Sequence, residues 1–389
     1  MDLERRFEDI RNFLGQHIQL VQSEILNHYP HELPSPYDGW CRQLSKLSKN
    51  NLIDIENGKS FESIHGELRN YYESIKELSQ LPEVNVKSAA IPKRLEVGMT
   101  HKKRHETSII KGFLAREDLS KIIDVGSGKG HMSKVLLYDT DGSSECIDCD
   151  PKLQSSGAQL IKKQTPELAT KISFREEFFT KDSVIKDRSS LILGLHCCGD
   201  LSVELIRSHI TSCEKLLNFG CCYHKSKEFN LSGLALSSPI PFSFHALNLA
   251  TRSNRTLNNT SFDRRQSVKL YRYILHMILK DELNEEFKTL GNAHHSEYYS
   301  DFTAYCKKYA PQTKKLDVDS LHKKYLKSDR LKDYLVAEVI RSPLGRLVEL
   351  YIILDRALFL KENGHDVKVC SFFDPELSPR NIGIFSCKL

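Results

Sequence analysis

The run Ile122-Ile123-Asp124-Val125-Gly126-Ser127-Gly128-Lys129-Gly130 joins an apolar strand to three alternate glycines. Such a turn lets backbone approach a nucleoside cofactor where side chains would stand in the way. Its spacing decides between cofactors. A dinucleotide loop has its third glycine three residues after the second, where helix and strand pack closely, and that position is His131 here. A P-loop needs Gly-Lys followed by Ser or Thr, and Gly128-Lys129 is followed by Gly130. What remains is D-x-G-x-G-x-G, the pattern associated with S-adenosylmethionine. That cofactor has no phosphate and asks only for close backbone approach to its methionine and ribose parts. Asp124, Gly126, Gly128 and Gly130 are the candidate loop residues.

Further candidates stand at the ends of the following strands. Asp148, 18 residues after Gly130, ends the segment Ile147-Asp148-Cys149-Asp150, and a carboxylate there can accept bonds from both ribose hydroxyls. Asp150 is held in reserve. Glu176 or Glu177 can accept from the adenine amino group. Two clusters follow, Leu195-His196-Cys197-Cys198-Gly199-Asp200-Leu201 and Gly220-Cys221-Cys222-Tyr223-His224. Four readings stay open for them: small thiols filling space while Asp200 caps a helix; His196, Tyr223 or His224 orienting or deprotonating a nucleophile; zinc ligation, though C-x-x-C spacing is missing and no metal site is expected; and a covalent thiolate such as Cys198. The candidate catalytic set is His196, Cys198, Asp200, Tyr223 and His224. Upstream, Lys102-Lys103-Arg104-His105-Glu106 opens a helical pattern that can close the pocket, with Lys103 and His196 as further cofactor contacts.

The elements that must position these residues follow from periodicity. Strands are expected at residues 121–125, 144–148, 171–175, 190–196 and 215–221, with amphipathic helices between them, then a helix at 344–362 and strands at 366–372 and 381–388. This is an α/β pattern, a mostly parallel, seven-stranded Rossmann-like sheet. Apolar residues at Phe7, Ile10, Leu14, Ile18, Val21 and Ile25 predict one long amphipathic helix. We expect residues 1–95 to form a helical module and 96–389 the sheet domain, with a helical insertion at about 225–342. In that insertion Lys and Arg residues alternate with Tyr305, Tyr309, Tyr325 and Tyr334, which suits phosphate contact plus stacking or else a solvated charged face.

Composition sets only outer bounds. Lys+Arg number 56 against Asp+Glu 51, an excess too small to demand or exclude a nucleic-acid partner. No membrane span or signal peptide is apparent, so a cytoplasmic or nuclear location is expected. The 11 cysteines include two adjacent pairs and are expected to be reduced.

The basic helix start, the glycine loop, His196-Cys197-Cys198-Gly199-Asp200, Cys221-Cys222-Tyr223 and Phe373-Asp374-Pro375-Glu376-Leu377-Ser378-Pro379-Arg380-Asn381 together resemble the methyltransferase-like twenty-five family. That family includes a protein labelled ribosomal RNA adenine dimethylase domain-containing. The resemblance spans about residues 96 to 389. It implies an S-adenosylmethionine-dependent class I methyltransferase, with Gly126, Gly128 and Asp148 as cofactor contacts. The Pro-Pro-Tyr element of adenine dimethylases is replaced here by His196-Cys197-Cys198-Gly199. The two Cys-rich clusters are also similar to those of enzymes that 2'-O-methylate the tRNA acceptor stem. The expected acceptor is therefore RNA, tRNA or rRNA; a protein methyltransferase and a cofactor-binding but inactive scaffold are the alternatives, and a small activating subunit is a further expected partner.

Overall fold

The computed structural model describes residues 1–185, 189–288 and 293–389. Seven strands form one sheet: β1 Lys121–Val125, β2 Ser143–Asp148, β3 Ile172–Glu176, β4 Ser189–Cys198, β5 Cys213–Cys221, β6 His365–Ser371 and β7 Ile382–Lys388. Their order is β3-β2-β1-β4-β5-β7-β6. The pairs among β1 to β5 are parallel, and β7 runs antiparallel to both β5 and β6. The expected α/β fold class is borne out, each strand within a few residues of its expected place. Strand order reverses between β1 and β4, so a crevice opens beyond their C-terminal ends, where such sheets receive ligands.

Two compact units share the chain: residues 1–16, 78–255 and 345–389 form the first, and 17–77 with 256–344 the second. This division departs from the boundaries expected at 95 and at 225–342. The helix expected to run on from Leu3 stops at Gln16, and its stripe of Phe7, Ile10 and Leu14 is buried within the sheet unit. The remaining N-terminal helices instead pack with those of the expected insertion. Within that unit the Arg265 guanidinium pairs with Glu56, and Tyr71 donates to the carbonyl of Ile340 at 2.7 Å. Periodicity shows which face of a helix is apolar but not which segment will cover it.

The sheet unit's longer helices are α1 Leu3–Gln16, α2 His101–Phe113, α3 His131–Leu137, α4 Pro151–Gln164, α5 Leu201–Ser212, α6 Phe244–Arg252 and α7 Leu344–Glu362. Phe7 on α1 lies 4.6 Å, ring to ring, from Tyr351 on α7. Under the sheet, Phe219 stacks on Phe373 at 4.9 Å and meets Phe372 edge-on at 5.0 Å. In the helical unit, Tyr305, Tyr325 and Tyr334 are all buried, which removes them as stacking platforms; their spacing serves packing. Among the described residues no helix is long and apolar enough to cross a membrane.

Gly126, Gly128 and Gly130 all adopt left-handed backbone, with φ of 69°, 57° and 69°. A Cβ on Gly130 would also stand 3.1 Å from the Cys146 sulfur and the Phe174 ring, whereas one on Gly128 would meet nothing within 4 Å. Gly130→Ala is therefore expected to lose about 2–4 kcal/mol, strain plus overpacking, against about 1–2 kcal/mol for Gly128→Ala, which carries strain alone. Urea unfolding of the two variants checks this, and equal losses would dismiss the packing contribution at Gly130.

Candidate active site

The cofactor side begins with a buried post. Asp124, one residue before the end of β1, is 2% exposed, and its Oδ2 accepts the Ser133 hydroxyl of α3 at 2.8 Å. Burial pushes its carboxyl up, partly countered by the Ser133 bond and the nearby Lys103 ammonium. Asp124 thus anchors the first turn of α3 to the strand behind the glycine loop. The amides of Gly126 and Ser127 donate to the carbonyl of Ile147, which fastens the loop to β2.

Asp148 reaches back to the same loop. Its Oδ2 accepts the Gly128 amide at 2.9 Å and its Oδ1 the Asp150 amide at 3.0 Å. A carboxylate has about four acceptor sites, so each oxygen keeps capacity for a ribose hydroxyl. Asp150, the reserve candidate, is committed to capping α4 through the amides of Lys152 and Leu153. Glu176 lies exposed at the end of β3, in register with Asp148. Open space before Gly128 and a carboxylate fixed beside it fit the ribose and methionine parts of S-adenosylmethionine.

The acceptor side is assembled at the ends of β4 and β5, which are direct neighbours. Their register shifts between Leu195 and Cys197, and His196 takes a φ of 64°. This bulge sets Cys198 opposite Cys221. His196 Nε2 lies 2.7 Å from Glu106 Oε1 on α2, an oxygen that also accepts the Ser378 hydroxyl at 2.7 Å. Burial raises the Glu106 carboxyl, but His196, Ser378 and the Lys102 charge outweigh it and hold it below the ordinary range. An ionised Glu106 can only accept, so His196 carries its proton on Nε2 and Nδ1 becomes the basic nitrogen. His196 is partly exposed, and Nδ1 has no hydrogen-bond partner among the described residues.

His224 is fixed in the opposite tautomer. The Thr251 hydroxyl donates to the carbonyl of Leu247 and so accepts from both the His224 amide and its Nδ1, at 3.2 and 3.1 Å. Its basic nitrogen is then Nε2. The thiols of Cys198, Cys221 and Cys222 lie within 4.8 Å of one another. Cys198 and Cys221 sulfurs stand 3.1 Å apart, and Cys221 donates to the carbonyl of His196 at 3.1 Å. The hydrogen bond to Cys221 holds the Cys198 thiol down and pushes that of Cys221 up.

Two expected catalytic residues take structural places. Tyr223 is 1% exposed, with its hydroxyl turned inward to Glu349 at 3.2 Å, and burial drives its phenol far above the usual range. It props the end of β5 and has no free hydroxyl to offer. Asp200 makes no side-chain cap on α5; its Oδ1 instead accepts the amides of Lys227 and Glu228. Residues not singled out from sequence include Glu106 as the partner of His196, Thr251, and Glu349, whose carboxylate gathers Tyr223, Ser253, Arg346 and Arg380. Nothing in the spacing of these residues marks them, because the partners that place them in the site, His196 for Glu106, His224 for Thr251, and Tyr223 and Arg380 for Glu349, lie 27 to 126 positions away.

Helix α6 lies over His224. The Phe244 ring, 59% exposed, sits 6.1 Å from the His224 ring at one end. Arg252, and Arg255 just beyond it, are exposed at the other. Neither has a carboxylate partner among the described residues.

Residues 99–228 match the family described as Methyltransferase domain. The chain is 26% identical over 245 residues to the human "Probable methyltransferase-like protein 25", an alignment covering 54% of this chain and 40% of that one. The chain thus spans well under half the length of that relative. Among solved structures it is similar to geranyl diphosphate C-methyltransferase from Streptomyces coelicolor, at 12% identity and a TM-score of 0.25 over 39% of this chain and 65% of that one. A SAM-dependent methyltransferase from Aquifex aeolicus gives 14% identity and 0.25, over 38% and 72%. The expected kinship is borne out as a similarity by the family match and the human relative: residues 99–228 carry an S-adenosylmethionine-dependent methyltransferase domain, and the chain is similar to methyltransferase-like protein 25.

Asp148→Ala is expected to weaken S-adenosylmethionine binding by about 1–3 kcal/mol, the loss of a charged acceptor; unchanged affinity in calorimetry would refute the ribose assignment. Glu106→Gln should destabilise the fold by about 1–3 kcal/mol. The folded-state pKa of Glu106 is depressed, so its stabilisation is present above the ordinary value of about 4.5 and is lost as pH falls through the folded value. The gap between wild type and variant in urea melts should therefore be widest near neutrality and close in acid.

Proposed function

We propose that this chain, whose sheet unit is a class I methyltransferase domain, transfers a methyl group from S-adenosylmethionine to RNA. The observation that carries the RNA reading is the wall formed by α6: an exposed aromatic ring at one end, two unpaired guanidinium groups at the other, and His224 between them. Nine residues of helix span about 13 Å, comparable to the reach of a base with its flanking phosphate. Base stacking on an aromatic side chain contributes about 1–3 kcal/mol, and unpaired arginines supply phosphate contacts. Lys225 and Lys227 are exposed on the adjoining loop and extend the positive surface.

S-adenosylmethionine bound at the glycine loop supplies an electrophilic methyl on a sulfonium sulfur. The chain's own contribution is to hold an acceptor oxygen or nitrogen in line with it and to take its proton. Positioning supplies most of such catalysis, and a general base adds about 10²–10⁴-fold. His196 Nδ1 is the better placed base, because the Glu106 carboxylate orients the ring and stabilises the imidazolium that forms. His224 Nε2, oriented only by a neutral hydroxyl, is the weaker candidate.

Labelled S-adenosylmethionine added with the protein to fractionated lysate of cells lacking it should give label that is sensitive to nuclease and resistant to protease. Protease-sensitive label would replace RNA with a protein acceptor. With the RNA fraction as substrate, Phe244→Ala should raise KM about 5- to 100-fold and leave cofactor affinity unchanged; an unaltered KM would remove α6 from the acceptor site.

A further inference from the structure

We propose that Cys198, Cys221 and Cys222 form a three-thiolate site for one zinc ion, with a fourth coordination position left open to the acceptor crevice. The three sulfurs come from the ends of two neighbouring strands and lie within 4.8 Å of one another. Sulfurs held about 2.3 Å from a tetrahedral zinc stand about 3.8 Å apart. The spread here brackets that value. The Cys198–Cys221 pair, at 3.1 Å, must open slightly, which the exposed side chain of Cys198 permits.

The backbone is bent to bring about this convergence. His196 and Cys222 hold left-handed φ of 64° and 49° without being glycine, a conformation that strains L side chains. Between them the bulge in β4 sets Cys198 opposite Cys221. A thiol that only fills space needs no such shift: Cys146 is buried in β2, whose pairings with β1 and β3 run in regular register. Lys225 packs against the same turn, its backbone 3.0 Å from where a Cβ on Gly199 would stand. Three thiolates around a divalent ion leave one negative charge, which the Lys225 ammonium offsets. Ligation releases the three thiol protons to solvent.

No histidine or carboxylate completes the cluster among the described residues. Structural zinc sites close all four positions with protein ligands, whereas three protein ligands and an open position mark a site that receives water or substrate. Such a zinc would polarise an acceptor oxygen or nitrogen beside His196; the Cys221 proton now donated to the His196 carbonyl is one of the three that ligation releases. The site does not depend on whether the acceptor is RNA.

The test is anaerobic titration of the reduced 389-residue chain with Co(II), followed by zinc. One cobalt per chain should bind with thiolate-to-metal charge-transfer absorption and be displaced by zinc. Single Cys198→Ser, Cys221→Ser and Cys222→Ser substitutions should each weaken uptake at least about tenfold, while Cys149→Ser, outside the cluster, should not. If the buried Cys221 variant fails to fold by circular dichroism, the two more exposed ones decide. Absent charge transfer, uptake indifferent to Cys222→Ser, or a Cys198–Cys221 disulfide that forms under glutathione and survives added zinc would each overturn the site. Because the readout needs neither S-adenosylmethionine nor methyl transfer, its failure is separable from failure of the methyltransferase reading.

Discussion

One buried carboxylate oxygen, Glu106 Oε1, ties together three segments that are far apart in the chain. It sits on α2 and binds His196 at the end of β4 and Ser378 before β7. A carboxylate at 1% exposure is costly unless its charge is compensated. Here two hydrogen bonds and the Lys102 ammonium at 3.5 Å provide that compensation. Its effect passes onward. The imidazole is fixed by the carboxylate, the His196 carbonyl receives the Cys221 thiol, and Cys221 in turn meets Cys198. Orientation of the acceptor side is therefore a chain of hydrogen bonds running from one helix to the thiol cluster. One residue earlier on α2, His105 accepts the Asp374 amide, which holds the same C-terminal segment a second time.

A second buried carboxylate does comparable work on the far side of β5. Glu349 on α7, also 1% exposed, receives Tyr223, Ser253, Arg346 and Arg380. Arg380 also donates to the carbonyls of Ala250 and Ser253, which satisfies the end of α6. The Ser-Pro-Arg-Asn segment near the C-terminus thus serves both hubs, Ser378 one and Arg380 the other. This gives its residue types a physical reason: one hydroxyl and one guanidinium, two positions apart, link two carboxylates on different helices.

The cofactor side could be read from sequence because it is made of backbone. Left-handed turns at Gly126, Gly128 and Gly130 leave a mark that no other residue type provides cheaply, and the acid they require follows one strand later. The strands were legible for a related reason, since parallel strands covered on both faces read as short apolar runs. The acceptor side is made of side chains meeting across long sequence separations. Tyr223 next to two cysteines looks chemical, yet its hydroxyl faces the interior. Glu106 looks like one more charge on a basic helix start, yet it is the buried partner of a candidate base.

The least legible feature is the bulge in β4. Ser190 to His196 reads as an uninterrupted buried strand, and a buried run carries no polar alternation to reveal a shift of register. Only pairing with β5 exposes it, where Leu195 lies opposite Phe219 and Cys197 opposite Gly220, leaving His196 unpaired. That extra residue decides the chemistry. Without it, every residue beyond Leu195 would move one position along β5, so that Cys197 would face Cys221 and Cys198 would fall on the opposite face of the sheet. His196 would then lie flat in the ladder, bonded to its neighbours as strand backbone. With the bulge, its ring is free to meet Glu106, its carbonyl to meet Cys221, and two thiols from different strands share one side of the crevice. A one-residue departure from regular pairing thus brings an imidazole, a backbone carbonyl and two thiols together at what would otherwise be a packed strand end.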